Sequence, residues 1–544
     1  MCIKKLLVIS FLFIVCANKI VAQEVPVATS NGVYTYLDQM ALSYPMPWQD
    51  LIKPISRRQI ANALNSLQQQ SEKLSKKENA ELQFYIQEFV SSNNSDTTSF
   101  FKKDPQGRWR TFYYKEKSNT IHLDPIIGGS IGAYKNEMVV ERNAGVTMWG
   151  SIENKVDYLL SFNDISLNGA GIKNMPSFSS APKYVNIGAS ESVNSKNYNE
   201  LRASVAYRFK NGFVSAGQDR FSYGYGQDAQ IVLSQNAPAY PYVKLQYQPF
   251  KWLQFNYMHA WLQSNIIDSS ASYNYGNNTY GGYHQQYQPK YYATHSFNFI
   301  IKPGVEINLG ESIVYTNSIN AAYLIPVMYF KSFDNTSNNQ NILAGDNGQL
   351  FVGFNIRRWI PKTQLYGQLF VDEIRLSEIF SKQNRNQLGY QLGIKKSGWL
   401  PKDNLVMGIE YTRNRPFVYS NINPVLNYTH HNQNLGDWMA NNADRFLLYA
   451  QYKLMERMYA KLSYEKIRKG GAGTTDNQYL KSPQPAFLFN PLFNQKNINF
   501  EIRYQWLHNV NLQLQTNFTT INNPNSSEAI KSNNLQIGMY MGLY

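Results

Sequence analysis

Apolar residues recur along this chain with two periods. Between 33 and 90 the spacing is helical: Ile60, Leu64 and Leu67 mark one face of a helix, and Leu82, Ile86 and Phe89 mark another. Start signals precede both. Ser56 and Gln59 have capping-box spacing, with Ile55 and Ile60 at the positions of a hydrophobic staple, and Ser75 with Glu78 repeats the box. Helices this short are marginal alone, so they predict a partner surface. The polar stretch from Ser91 to Ser99 breaks the pattern.

From about residue 121 the period becomes two. Leu201-Arg202-Ala203-Ser204-Val205-Ala206-Tyr207, Tyr242-Val243-Lys244-Leu245-Gln246-Tyr247, Trp252-Leu253-Gln254-Phe255-Asn256-Tyr257 and Asn497-Ile498-Asn499-Phe500-Glu501-Ile502-Arg503-Tyr504 alternate as strands do. The pattern returns at 348–358, 364–374, 387–395, 404–411, 446–454, 458–466 and 510–519. The stretches 268–288, 334–348 and 469–485, rich in Asn, Gly and Ser, read as loops. No run of about 18 apolar residues occurs beyond the N-terminus, which excludes a helical multispan protein. One polar and one apolar or aromatic strand face suit lumen and lipid.

The predicted fold is therefore all-β and transmembrane: an antiparallel outer-membrane β-barrel with a small N-terminal α-helical segment. Strands of about ten residues with turns and longer outer loops allow roughly 16 to 20 of them in residues 121–544. The last ten residues read as a closing strand. Its lipid-facing parity stays open, because Tyr540 and Tyr544 share parity with two glycines.

Composition agrees. Aromatics are 14% of the 544 residues, with 40 Tyr, while charged residues are 16% and mean hydropathy is −0.44. Lys4 and Lys5 precede the apolar run from Leu6 to Cys16, and small and polar residues follow through Ala22-Gln23. This predicts a signal peptide over 1–23, cleaved near 22 or 23. A helical segment and linker over 24–120 and a barrel over 121–544 complete the organisation. Both cysteines, Cys2 and Cys16, fall in the signal segment, so the mature chain carries no disulfide, thiol nucleophile or Cys-based metal site. Without Lys4, Lys5 and Lys19 the net charge falls from +15 to +12. The excess is spread out, which suits phosphorylated lipid or acidic polysaccharide better than nucleic acid.

Catalytic motifs are weak. Gly128-Gly129-Ser130-Ile131-Gly132 matches a nucleophile elbow but sits in an alternating strand with no helix after it. Gly224-Tyr225-Gly226-Gln227-Asp228-Ala229 lacks the βαβ context of a dinucleotide loop. The seven histidines show no metalloprotease spacing, and no carboxylate pair is singled out. No cofactor or metal is expected.

Two kinds of site candidate remain. Tyr273, Tyr275, Tyr280, Tyr283 and Tyr287 stand among Asn, Gly and Gln, and flat amphipathic rings beside amides suit the faces of sugars. Trp438, Asn441 and Asn442 offer the same chemistry. Three denser polar segments, 215–238, 370–374 and 435–470, predict a lumen network of Asp219, Arg220, Asn236, Asp372, Glu373, Asp437, Arg445 and Arg468. In it the three arginines are expected to pair with Asp219, Asp372, Glu373 and Asp437.

Those three segments, together with Pro54-Ile55-Ser56-Arg57-Arg58-Gln59-Ile60-Ala61, resemble the capsule assembly family Wzi as it occurs in Bacteroidetes-type bacteria. The resemblance keeps the same order over most of the mature chain. It is most specific over 217–238 and next over 436–445. It implies about 18 strands, a helical bundle at the periplasmic end, and a non-enzymatic surface lectin that helps hold capsular polysaccharide. The expected partners are that polysaccharide, outer-membrane lipid including lipopolysaccharide, and the barrel-assembly machinery, with no nucleic acid. A channel or porin is the alternative, and an outer-membrane hydrolase using Ser130 or a carboxylate the third.

Overall fold

A computed structural model describes residues 23–542, apart from 91–95, 105–106, 187–192, 277–278, 280, 338–344, 375–376, 378–385, 400–403 and 482. The signal segment through residue 22, with Cys2 and Cys16, lies outside the described residues, as do Tyr280 and Tyr544.

Eighteen antiparallel strands among the described residues, from Asn119–Tyr134 to Ile530–Met541, form one closed barrel. The first and last strands meet along Ile127↔Met541 to Tyr134↔Asn534. Before this seam, the first strand pairs over Asn119 to Leu123 with an outer hairpin of Thr97–Lys103 and Trp109–Glu116. One end of the barrel carries short turns, such as those at 209–212, 250–253 and 302–305. The other carries the long connections 168–195, 219–240, 267–287, 316–347 and 414–443.

Alternation settles which face is which. Ile131, Val205, Ile307, Leu392, Leu462, Phe518 and Ile537 are exposed and point outward, as a lipid-facing band requires. In the closing strand Leu535, Ile537 and Met539 take the lipid face. Tyr540 turns inward, where its hydroxyl donates to Glu141 at 3.3 Å.

Three helices, Gly32–Ser43, Arg57–Gln68 and Lys76–Phe89, close the short-turn end. Ser56 accepts from the Gln59 backbone N–H at 3.3 Å, the Ser75–Glu78 capping box is complete, and Ile55 and Ile60 are buried. The partner surface is the barrel rim. Arg357 Nη2 reaches both oxygens of Asp50 at 2.7 and 2.8 Å. Glu81 meets Lys453 and accepts from Tyr459 at 2.9 Å. Glu88 is clamped by Arg57 at 2.7 Å, Arg110 at 2.8 Å and Arg108 at 3.2 Å. Burial pushes the Glu88 carboxyl up, but the three guanidiniums outweigh it and hold it well below the usual carboxylate range.

The lumen is filled from both ends. From the helical end, Ile52–Lys53 enters and pairs with Ser222–Tyr223 of the long connection 219–240. From the other end, 414–443 folds in, and the Ser234 N–H donates to the Leu435 carbonyl at 2.6 Å. Leu51, Phe221, Tyr223, Ile231, Val232, Val418, Tyr428 and Leu435 form a core with inward-facing Tyr242, Tyr292 and Phe351. Each such side chain contributes about 1.5–3 kcal/mol on burial.

On the outside, 316–337 folds down over the wall. Tyr323 and Phe330 are fully buried against outward-facing Phe255, Tyr257, Ile313 and Tyr315. Tyr257 donates to the Tyr323 carbonyl at 2.9 Å, and Glu311 accepts from the Phe330 N–H at 2.7 Å. The flap presents Leu324, Ile325, Val327 and Tyr329 in place of the wall it covers.

Candidate carbohydrate-binding face

At the long-connection end the candidate residues fall into separate groups. Tyr273 and Tyr275 lie on one strand of a small hairpin and Tyr283 on the other, paired Tyr273↔His284 and Asn274↔Tyr283. All three tyrosines are more than half exposed. The Tyr273 ring lies 4.9 Å from His284 and 6.4 Å from Tyr275, edge to face with the latter. Tyr287 begins the next barrel strand and accepts from Gln285 at 3.0 Å. Tyr280 lies outside the described residues.

Trp438 packs on Phe178 at 4.9 Å, and its buried Nε1–H has no partner among the described residues. Asn442 serves the fold instead, and Asn441 is anchored beside it by one bond. The Asn441 amide donates to Ser420 at 3.2 Å. Asn442 is fully buried, donates to the Gly471 carbonyl at 2.8 Å and accepts from the Leu488 N–H at 2.7 Å. A side chain whose bonds are all made inside the protein has none left for a sugar.

The arginines pair, but with carboxylates other than those expected from sequence. Arg220 meets Glu200 at 2.9 Å, and only its backbone N–H reaches Asp219. Asp219 is held by Arg202 at 2.8 Å. Arg445, fully buried, contacts Glu465 at 2.5 Å and Glu410 at 3.3 Å, and donates to the Gln227 carbonyl at 2.9 Å. Arg468 takes Asp444, which stands directly opposite it in the ladder. Strand register decides these partners, and register cannot be read from composition.

Arg468 also departs from the predicted lumen position. It shares the outward parity of Leu462 and stands at the rim, exposed. The remaining members of the set hold loops. Asp372 accepts from the Tyr419 N–H at 2.7 Å and from Gln349 at 3.3 Å. Asn236 donates to the Ala181 carbonyl at 2.8 Å, and Glu373 accepts from Gln387 at 3.2 Å. Asp437 accepts from the Met439 N–H and Asn414, both at 3.0 Å. Burial pushes its carboxyl above the ordinary value, which those two donors offset in part.

Sequence reading missed one wall of the lumen. Across the last three strands, inward positions carry Gln495, Asn497, Asn499, then Gln513, Gln515, Asn517, Thr519, then Asn534 and Gln536. Those of the second and third strands are half-buried. Gln513 and Gln515 converge on Glu501 at 3.1 and 2.7 Å, Asn497 donates to Glu465 at 3.1 Å, and Thr519 donates to Asn497 at 3.0 Å. Amides and carboxylates aligned at strand spacing are the donors and acceptors that polyhydroxyl chains need. The signal was present as amides at every second position.

A family model for the capsule assembly protein Wzi matches residues 137–535. Among solved structures, Wzi of Escherichia coli is similar at a TM-score of 0.56 and 13% identity, over 95% of this chain and 99% of that one. It is described as an outer membrane protein involved in group 1 capsule assembly and a carbohydrate-binding β-barrel. OprD of Pseudomonas aeruginosa is similar at a TM-score of 0.41 and 9% identity, over 83% of this chain and 97% of that one. No curated protein matches the chain by sequence.

Proposed function

The chain belongs to the capsule assembly protein Wzi family, and on that premise we propose that this outer-membrane barrel binds capsular or related surface polysaccharide and helps hold it on the cell. The long-connection end faces outward and the helices face the periplasm. The observation that carries the reading is the exposed cluster of Tyr273, Tyr275 and Tyr283 at the long-connection end, with the amide wall on the opposite side of the plugged barrel as a second supply of polar groups. Rings take the apolar faces of sugars, and amides take their hydroxyls.

Binding without turnover is the reading the chemistry supports. The Ser130 hydroxyl donates to Glu141 at 2.9 Å and accepts from Gln536 at 2.6 Å, inside a continuous strand. Neither partner is an imidazole, and no strained turn lifts the hydroxyl toward a substrate. A filled lumen supports retention over passage. The test is complementation of a strain lacking the gene. Cell-associated polysaccharide should return with the parent protein, and polysaccharide left in the medium at equal barrel level sinks the proposal.

A further inference from the structure

We propose that the outward face around the seam docks a phosphorylated glycolipid of the outer leaflet, its phosphates on a row of lysines and its acyl chains in an apolar depression below. The inference rests on the outer-membrane placement above.

Register builds the row. Lys466 pairs with Lys496, Lys496 with Thr520, and Thr520 with Lys531. Lys466, Lys496 and Lys531 are all exposed, on the outward parity of Leu462, Ile498 and Leu535. Lys135 continues the arc, its N–H donating to the Asn533 carbonyl at 3.1 Å. Strand spacing sets the reach from Lys466 to Lys531 at about 14 Å. Lys466 and Lys496 stand directly opposite one another, an arrangement that is unfavourable until an anion lies between them. The acids close by in the chain are engaged: Asp444 by Arg468, and Glu137 by Lys173 at 3.0 Å. Glu528 stands in the turn before Lys531.

The outward face turns apolar one register step below, at Tyr464, Ile498 and Phe518. Deeper on the same strands lies a depression of about 630 Å³ lined by Ile131, Ile502, Leu512, Leu514, Ile537 and Met539. Ile502 and Ile537 are six residues from Lys496 and Lys531. That is about 20 Å along a strand, or about 15 Å of depth at a tilt near 40°. One leaflet of hydrocarbon has that thickness. A charged row a leaflet's depth above an apolar hollow fits an anionic headgroup with its tails.

The test is retention of lipid A by the full-length barrel in detergent, read by native mass spectrometry. Phosphorylated lipid A, dephosphorylated lipid A and inorganic phosphate are the three probes. K466Q/K496Q/K531Q should lower retention of the phosphorylated form about tenfold or more. The charge-preserving K466R/K496R/K531R should keep it, and so should K251Q/K302Q, which removes exposed lysines at the opposite end. Equal retention of both lipid forms by the parent would overturn the proposal. So would loss of binding in the end-swapped control, competition by phosphate alone, or a triple variant that keeps lipid and instead releases acidic polysaccharide. Heat-modifiable migration of each variant establishes that the barrel is closed, and its absence in the parent would count against the outer-membrane placement itself.

Discussion

Nη1 of Arg445 lies 3.3 Å from Oε1 of Glu410, across two adjacent strands and beneath the plug loop whose Gln227 carbonyl the same guanidinium holds. Arg445→Met leaves Glu410 and Glu465 buried without their cation, a loss worth about 3–5 kcal/mol. The temperature at which the barrel loses its fast gel migration should fall clearly. Arg220→Met should cost less, because Glu200 keeps more contact with solvent than Glu410. A fully stable Arg445→Met barrel that no longer binds glycan would place this arginine in the binding site.

Glu88 makes the helical end acid-resistant. Its folded carboxyl titrates well below the unfolded value near 4.3, so the stability it contributes is present above that value. That stability is lost only as pH falls through the depressed folded value. Melting of the parent should change little between pH 7 and 5. Glu88→Gln should lower stability across that range, since Arg57, Arg108 and Arg110 lose their shared anion. Melting curves at pH 7, 5 and 3 distinguish this from a purely steric effect, which would be independent of pH.

The parts legible in sequence were those set by local rules. Ser75 with Glu78 and Ile55 with Ile60 marked helix starts, because capping and stapling act within four residues. Alternation marked the barrel, because the pleat has period two. The partners of Arg220, Arg445 and Arg468 were not legible, since each depends on register between strands. The inward fold of 219–240 and 414–443 was legible only through their polar motifs, since the apolar residues on which they close look like ordinary loop residues until they meet each other. Asn442 read as a sugar contact and is a buried brace.

The exposed hairpin should be separable from stability. Tyr273→Ala, Tyr275→Ala and Tyr283→Ala together remove rings that support little core, so the change in stability should stay within about 0.5 kcal/mol per site. Polysaccharide retained on cells should drop. Equal retention in variant and parent would take this hairpin out of the site.

The amide wall gives a complementary expectation. Gln513→Leu with Gln515→Leu removes two donors to Glu501 while keeping side-chain bulk. At about 1 kcal/mol per hydrogen bond, glycan affinity should fall by roughly five- to thirtyfold. Calorimetric titration with purified polysaccharide reads it, and unchanged affinity would shift the site to the loops.

Plug closure turns on Gly436. A Cβ there would stand 2.7 Å from the Tyr419 ring and 2.8 Å from the Ile231 carbonyl oxygen, so Gly436→Val should pry the two loops apart. Single-channel currents in planar bilayers, silent in the parent, should appear in the variant. Persistent silence would mean that the remaining plug contacts suffice.

The strand pair Ile52–Lys53 with Ser222–Tyr223 has a consequence for biogenesis. Residues so distant in the chain meet inside a cylinder whose wall is sealed by its first and last strands. The amino-terminal segment comes in through the helical end, which a shut seam leaves open, so the wall and its filling can be completed separately. A wall that closed without that segment inside would be a hollow cylinder, with its helices left undocked at the short-turn end.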